Sequence, residues 1–366
     1  RSGLIADANE VIAKLVERSK RNSSACTLVN ASSKILSYND SIDEEAEETG
    51  DFKPKLRFHP HESIDLLSSK TKRLRYVEPK HTISDSTTDL IPGVYEGGLK
   101  VWECSVDLCR FLAHVIDDLS VESASSLPSD DGLGALHTAV RRSLGPGGST
   151  MELGCGHGLP GCLILRENIL RENILGSFGP NTFSDETTSC NKSVVIFADF
   201  NDFVLHNATI PNAQLNVGGL RRKDGVAMDE HETAQSLLER SIFVGGDWMG
   251  LSHQLSSGKL LSPVQSERLD LILASETTYT PESCQDTAFL MLSHLKIDYG
   301  IGLVATKRFY FGVGGGTDLF IAACKTLSLS DQGICSDLRL CVRSIQSYDT
   351  GNANIRDLLE VRCQRK

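Results

Sequence analysis

The stretch MELGCGHGLPG, Met151 to Gly161, limits the possible folds more than any other part of this chain. Four glycines and a proline follow an apolar run and precede a helical pattern. At that density, glycine lets the backbone turn sharply out of a strand and approach a ligand closely. The helix behind it offers unpaired N–H groups and the positive end of its dipole. Pro160 suits the first helical turn, where its missing N–H leaves nothing unsatisfied. The segment therefore predicts a ligand-holding loop between a strand and a helix rather than a plain turn.

Two registers of that loop compete. From Gly156, the glycines at 156, 158 and 161 satisfy GxGxxG, the dinucleotide fingerprint; from Glu152 the string is ExGxGxG. A carboxylate at the loop's entrance would repel a pyrophosphate. It suits a ligand with an ammonium group and a sulfonium, such as S-adenosylmethionine, and the second register is preferred on that ground. His157 is expected to face outward without a catalytic part.

Helical and strand patterns alternate from Asp89 to the C-terminus. Cys104, Leu108, Phe111, Leu112, Val115, Ile116 and Leu119 form one helical stripe, and a second runs from the glycine loop through the tandem RENILRENIL, Arg166 to Leu175. Val194 to Ala198, Ser241 to Val244, Leu269 to Ala274 and Ile301 to Ala305 read as buried parallel strands, with LRLCV and DLLEV as weaker candidates near the end. This alternation predicts an α/β fold with a doubly wound, mostly parallel sheet. Residues 120–148 and 176–192 are polar and read as surface insertions.

In such a sheet ligands lie beyond the carboxyl ends of the strands, and each end offers a polar group. Asp199 follows the second strand, where a carboxylate can accept from ribose hydroxyls, with Asn201 two residues on. Gly246, Asp247 and Trp248 follow the third, supplying an acceptor for an adenine amino group and an aromatic wall. Ser275, Glu276 and Tyr279 follow the fourth.

Ahead of Asp89 the texture differs. Leu4, Ile5, Ala8, Val11, Ile12, Leu15 and Val16 mark one amphipathic helix; then come runs such as DEEAEETGD and SKTKRLR. Residues 1–88 are accordingly read as a partly disordered extension separable from cofactor binding, and residues 89–366 as the functional domain. His59 and His61 lack a third ligand nearby and are read as loop residues, so no metal site is expected. No run of about 20 apolar residues suggests a membrane span. A net charge of −11 argues against general nucleic-acid binding. The 11 cysteines stand singly without CxxC pairs and are read as reduced thiols of a cytosolic or nuclear protein. The first residue is Arg rather than Met, which suggests a fragment.

The strings IPGVYEGGLKVWECSVDL, ELGCGHGLPG, DFND, GDW, DLILASETTY and FYFGVGGGTDLF, in order from about Asp89 to Phe320, resemble the protein-histidine methyltransferases of the seven-strand, S-adenosylmethionine-dependent class. The resemblance implies a Rossmann-like seven-stranded methyltransferase fold, S-adenosylmethionine as cofactor, and methylation of a histidine ring nitrogen on a large-subunit ribosomal protein, in cytoplasm and nucleus. Val101, Trp102, Glu103, Cys104 and Ser105 would close over the methionine end of the cofactor, and Glu152, Gly154 and Gly156 would form its floor. Asp199 and Asn201 would hold the ribose, Gly246, Asp247 and Trp248 the adenine side, and Ser275 the rim near the methyl. Glu276 and Tyr279 resemble the acidic-x-x-aromatic element that faces the substrate channel in sister lysine methyltransferases. Glu276 is the candidate acceptor that fixes the imidazole tautomer. Protein-lysine methyltransfer, a dinucleotide oxidoreductase and a non-catalytic interaction protein stay open as alternatives, and oligomeric state is not assigned.

Overall fold

In the computed structural model, residues 2–32, 62–65, 73–76, 97–121, 133–175, 192–222, 224–261, 268–333, 336–349, 351 and 354–366 are described. The charged run at 43–51 and the first part, 69–72, of the run SKTKRLR, with His59 and His61, lie outside them, whereas residues 73–75 of that run belong to a strand. Strands β1 (Cys26–Leu28), β4 (Ser149–Leu153), β5 (Val194–Asp199), β6 (Ser241–Gly246), β7 (Leu271–Ser275), β8 (Ile301–Lys307), β9 (Leu338–Tyr348) and β10 (Arg356–Arg365) form one sheet in the order β1-β6-β5-β4-β7-β8-β10-β9. The five from β6 to β8 are parallel, while β10, β9 and β1 are added antiparallel. A separate hairpin pairs β2 (Glu62–Asp65) with β3 (Arg73–Tyr76).

The strands expected from their apolar runs are present, and the side-chain period of two explains why those runs are continuous. Met151, Leu153, Ile196, Ala198, Ile272 and Ala274 enter one apolar cluster, while Val195, Phe197, Leu271 and Leu273 enter another on the opposite face. Helices Glu103–Val121, Gly134–Ser143, Leu159–Leu175, Ile210–Val217 and Glu230–Arg240 cover the second face. Helices Ser2–Arg21, Trp248–Ser256, Pro281–His294 and Thr317–Ser328 cover the first. The chain winds from β4 toward β6 over one face, then from β7 toward β8 over the other. The direction of winding reverses beside β4, which opens a crevice at its carboxyl end.

Three expectations are corrected here. Part of the stretch read as an insertion at 120–148 is the helix Gly134–Ser143, whose Leu136, Ala139 and Val140 are fully buried. His157 does not face outward: it is 3% exposed, its ring lies edge-on to Tyr76, and Asn212 reaches its Nδ1 at 3.2 Å. Burial lowers its pKa and keeps the ring neutral. The N-terminal helix and β1 do not stand apart as an extension. Ala8, Ile12 and Leu15 are buried on the sheet body, and β1 pairs with β6 through Cys26↔Gly246 and Leu28↔Val244. A boundary at residue 89 therefore does not separate these two elements from the domain.

Candidate active site

A cavity of about 470 Å³ opens beyond the carboxyl ends of β4, β5, β6 and β7. That size suits a drug-sized or cofactor-sized ligand. The glycine loop makes its floor. Gly154, Gly156 and Gly158 have φ of 61°, 51° and 67°, the left-handed region that glycine enters without strain. A Cβ on Gly156 would lie 2.9 Å from the Gly98 carbonyl, so only glycine lets the two segments meet at the cavity.

Glu152 departs from the part expected of it. It is fully buried below the loop, and its Oε2 accepts the Gly161 N–H at 2.7 Å. Burial pushes its carboxyl well above the ordinary range, and Oε1 makes no hydrogen bond. The carboxylate ties strand to helix and is not among the cavity's lining residues, so it cannot attract an ammonium group there as the loop's register suggested. A Cβ on Gly161 would come within 2.5 Å of Phe197 and 2.7 Å of Glu152, which accounts for the last glycine of the loop.

Of the other sequence-derived positions, Val101, Trp102, Ser105, Gly154, Gly156, Asp199, Asp247, Trp248, Ser275, Glu276 and Tyr279 line the cavity. Asp199 is 5% exposed; its Oδ2 accepts from Gly156 N at 2.9 Å and its Oδ1 from Asn201 N at 3.0 Å. A carboxylate oxygen can accept from more than one donor, a hydroxyl included. Asn201 itself starts the helical turn Asp202–Val204 and does not line the cavity. Asp247 caps the helix Trp248–Ser256 by accepting from Met249 and Gly250, and the same Oδ1 accepts from Asn22 at 3.1 Å, which leaves Oδ2 outside these bonds. Trp248 carries a buried Nε1 with no hydrogen-bond partner. The chain's two tryptophans, Trp102 and Trp248, thus both border this one space.

Gly246, Glu103 and Cys104 lie elsewhere. Gly246 has φ 125°, and a Cβ there would strike the Ala25 carbonyl at 2.1 Å, so its need is to admit β1. Glu103 is exposed in the first turn of its helix. Cys104 is buried beside Glu276, and burial together with that carboxylate raises its thiol pKa.

Glu276 occupies the rim with φ 57°, a conformation unusual for a side-chain-bearing residue and found where a site demands it. Its N–H bonds to Ala305 O at 3.0 Å and its Oε2 accepts the Tyr310 hydroxyl at 2.6 Å. Lys307 Nζ stands 3.4 Å from Oε1, within 4.8 Å of the Trp102 ring centroid and 5.5 Å of that of Tyr310. Neither Lys307 nor Tyr310 stands out in the sequence; Tyr310 lies in the run FYFGVGGGTDLF, quoted for its resemblance alone, and Lys307 lies two residues ahead of that run. Arg18 and Asn22 from the N-terminal helix segment also line the cavity. Arg18 pairs with Glu282 at 2.6 Å and with Asp286, contacts between segments far apart in sequence that no local pattern displays.

The residues fit an adenosyl ligand with a polar tail: a backbone cradle closed to side chains, a carboxylate at the cavity wall, and an indole wall. Among the described residues no cluster of His, Cys, Asp and Glu could hold a metal ion.

No known family profile matches the chain. It is similar to the histidine protein methyltransferase 1 homologue of Dictyostelium discoideum, 29% identical over 276 residues that make up 75% of this chain and 60% of the relative. It is 30% identical to the Rattus norvegicus homologue over 68% of this chain and 57% of that one, and 30% identical to the Schizosaccharomyces pombe protein over 65% and 59%. The chain thus spans somewhat under two thirds of these relatives. Solved structures align loosely, as with the O-methyltransferase from Bacillus cereus in complex with SAH, at 10% identity, TM-score 0.34, covering 68% of this chain and 89% of that one.

Proposed function

We propose that this chain, a member of the protein-histidine methyltransferase family, transfers the methyl group of S-adenosylmethionine to a histidine ring nitrogen of another protein. The observation that carries the reading is Glu276, whose left-handed backbone, φ 57°, places it in the wall of a nucleoside-sized cavity beside the glycine loop. Gly154 and Gly156 would cradle the cofactor through their backbone, Asp199 would accept from its ribose, and Asp247 with Trp248 would border the adenine. When bound, the cofactor supplies a methyl already activated by the sulfonium. The chain's own residues then need to orient the acceptor, and well-placed reactants can supply about 7–11 kcal/mol at the ceiling.

Glu276 accepts the N–H of a neutral imidazole, which fixes the tautomer and leaves the other nitrogen's lone pair toward the methyl. As the ring becomes cationic, the carboxylate stabilises the charge; the surplus proton leaves to solvent after product release. A large-subunit ribosomal protein as target and a site of action in cytoplasm and nucleus remain part of the proposal. Among the described residues no helix is long and apolar enough to cross a membrane.

The test is to incubate the protein with labelled methyl donor and a ribosome-containing extract, then locate the modified residue by mass spectrometry. Methylhistidine is expected, with the rate falling below pH of about 6 as the target ring protonates. Methyllysine alone would move the chain to the lysine-modifying group, and binding of NAD in place of S-adenosylmethionine would restore the dinucleotide register.

A further inference from the structure

Three large apolar side chains crowd one exposed turn beside the cavity. Phe309, Phe311 and Val313, all in the run FYFGVGGGTDLF, are 53%, 79% and 39% exposed. Leu4, Leu28, Val226, Leu238 and Tyr299 are exposed as well, but each stands alone along the chain. Single exposed apolar residues are ordinary, whereas a cluster marks a place where another surface docks. Val313 also lines the cavity, as do Tyr279 and Thr280 from the segment after β7, so the cluster begins at the mouth.

The turn is firmly braced. Gly315 N bonds to Tyr279 O at 3.0 Å and Gly316 N to Thr278 O at 2.9 Å, which fastens its far end to the segment after β7. Gly314 N and Val313 N bond to Tyr310 O at 3.0 and 3.2 Å, which closes the turn on itself. A Cβ on Gly315 would lie 2.2 Å from Thr278 O, so this approach needs glycine. Between the two phenylalanines, Tyr310 is anchored inward by its hydroxyl, which donates to Glu276 Oε2 at 2.6 Å. Phe311 and Val313 are thus presented on an ordered backbone, and a surface ordered beforehand loses little entropy when a partner covers it.

The occupant follows from size and charge. A cofactor-sized cavity admits no more of a protein than one side chain, so the residues flanking that side chain have to rest on the mouth. A chain of net charge −11 repels a second copy of itself and favours a neutral or basic partner. We propose that Phe311 and Val313 are specificity-determining contacts for the protein substrate, covered by a bulky apolar side chain next to the methyl acceptor on a neutral or basic segment. The inference rests on the protein-substrate part of the reading above, and the choice of peptides separates it from the histidine part.

The probes are fluorescein-labelled peptides in a glycine, serine and lysine background with a central histidine, carrying leucine or serine immediately before or after it. They are titrated into the full chain saturated with S-adenosylhomocysteine, and binding is read by anisotropy. For the parent, leucine on one side of the centre should bind about tenfold more tightly than serine. Phe311→Ser and Val313→Ser should each erase most of that preference, Phe311→Leu should keep it, and serine-flanked peptides should bind Phe311→Ser as they bind the parent. Phe311 projects into solvent and does not line the cavity, so its serine variant should keep the parent's melting temperature and S-adenosylhomocysteine affinity. A parent without a flanking preference, or a preference that survives in both serine variants, would overturn the proposal. Self-association of the parent that Phe311→Ser abolishes would also overturn it, by assigning the turn to a second copy. If the leucine preference persists when alanine or lysine replaces the central histidine, and the ribosome-containing extract yields no methylhistidine, the docking contacts stand and the histidine reading falls.

Discussion

Asp286 lies in the cavity wall with Arg18 bonded to it, and desolvation pushes its carboxyl from 3.8 up to about 7 against the pull of that guanidinium. The folded state then holds a proton that the unfolded chain has released. Stability carries this favourable term in full below about pH 4 and loses it as pH rises to about 7. Parent and Asp286→Asn should therefore diverge: the parent's advantage in melting temperature shrinks across that window and is level above it. A difference that is flat from pH 4 to 8 would show the group to be ionised throughout. At Asp199, the Ala variant should bind S-adenosylmethionine more weakly by about 1–3 kcal/mol by calorimetry, because its hydrogen bonds to the ligand and to Gly156 N disappear together. Equal affinity would remove the ribose assignment. Asp199 and Asp247 were legible in the sequence because a strand's end fixes where its next residue points. Glu152 and His157 were not, because burial is set by elements that arrive from far along the chain, Phe197 for one and Asn212 for the other.

The helix Ser2–Arg21 and strand β1 act as one element, fastened to the domain through Asn22 on Asp247, Gln254 on Cys26 O and the β1–β6 ladder. Gly246 is the hinge of this arrangement, since its φ of 125° and its approach to Ala25 O both exclude a side chain. Gly246→Ala should cost about 1–3 kcal/mol in chemical denaturation and expose the segment near residue 25 to proteolysis. Unchanged cleavage would mean that β1 is not seated in solution. Truncating residues 2–28 should weaken cofactor binding because Arg18 and Asn22 leave the cavity wall, and Arg18→Met with Asn22→Ala should do the same with the fold intact. The helix itself was readable from its stripe. Its destination was not, because three residues, Cys26 to Leu28, are too short a run to announce an edge strand.

At the scale of the molecule, the reversal of winding beside β4 decides where chemistry can occur, and the continuous apolar runs made that much readable. The walls of the crevice come from loops whose mutual contacts follow from tertiary packing alone, which is why Lys307, Tyr310 and Arg18 surfaced only with the structure. One buried pair holds the Glu103–Val121 helix, and with it Trp102, against the far strands: Arg356 to Asp107 at 2.6 Å, each side chain 8% exposed. Removing one partner of such a pair strands the other charge, so Asp107→Ala should lose about 3–5 kcal/mol of stability. A smaller loss would place water at that junction.

Because the only two indoles in 366 residues border the same cavity, the protein carries its own optical gauge. Indole emission, excited at wavelengths too long for the seven tyrosines to absorb, arises at this site. Filling by a nucleoside should alter mainly the Trp248 component, and entry of a ring at the Glu276 rim mainly that of Trp102, whose face Lys100 and Lys307 approach within 4.6 and 4.8 Å. Single-indole variants would let the surroundings of Trp102 and of Trp248 be timed separately, without a label attached to either protein or ligand.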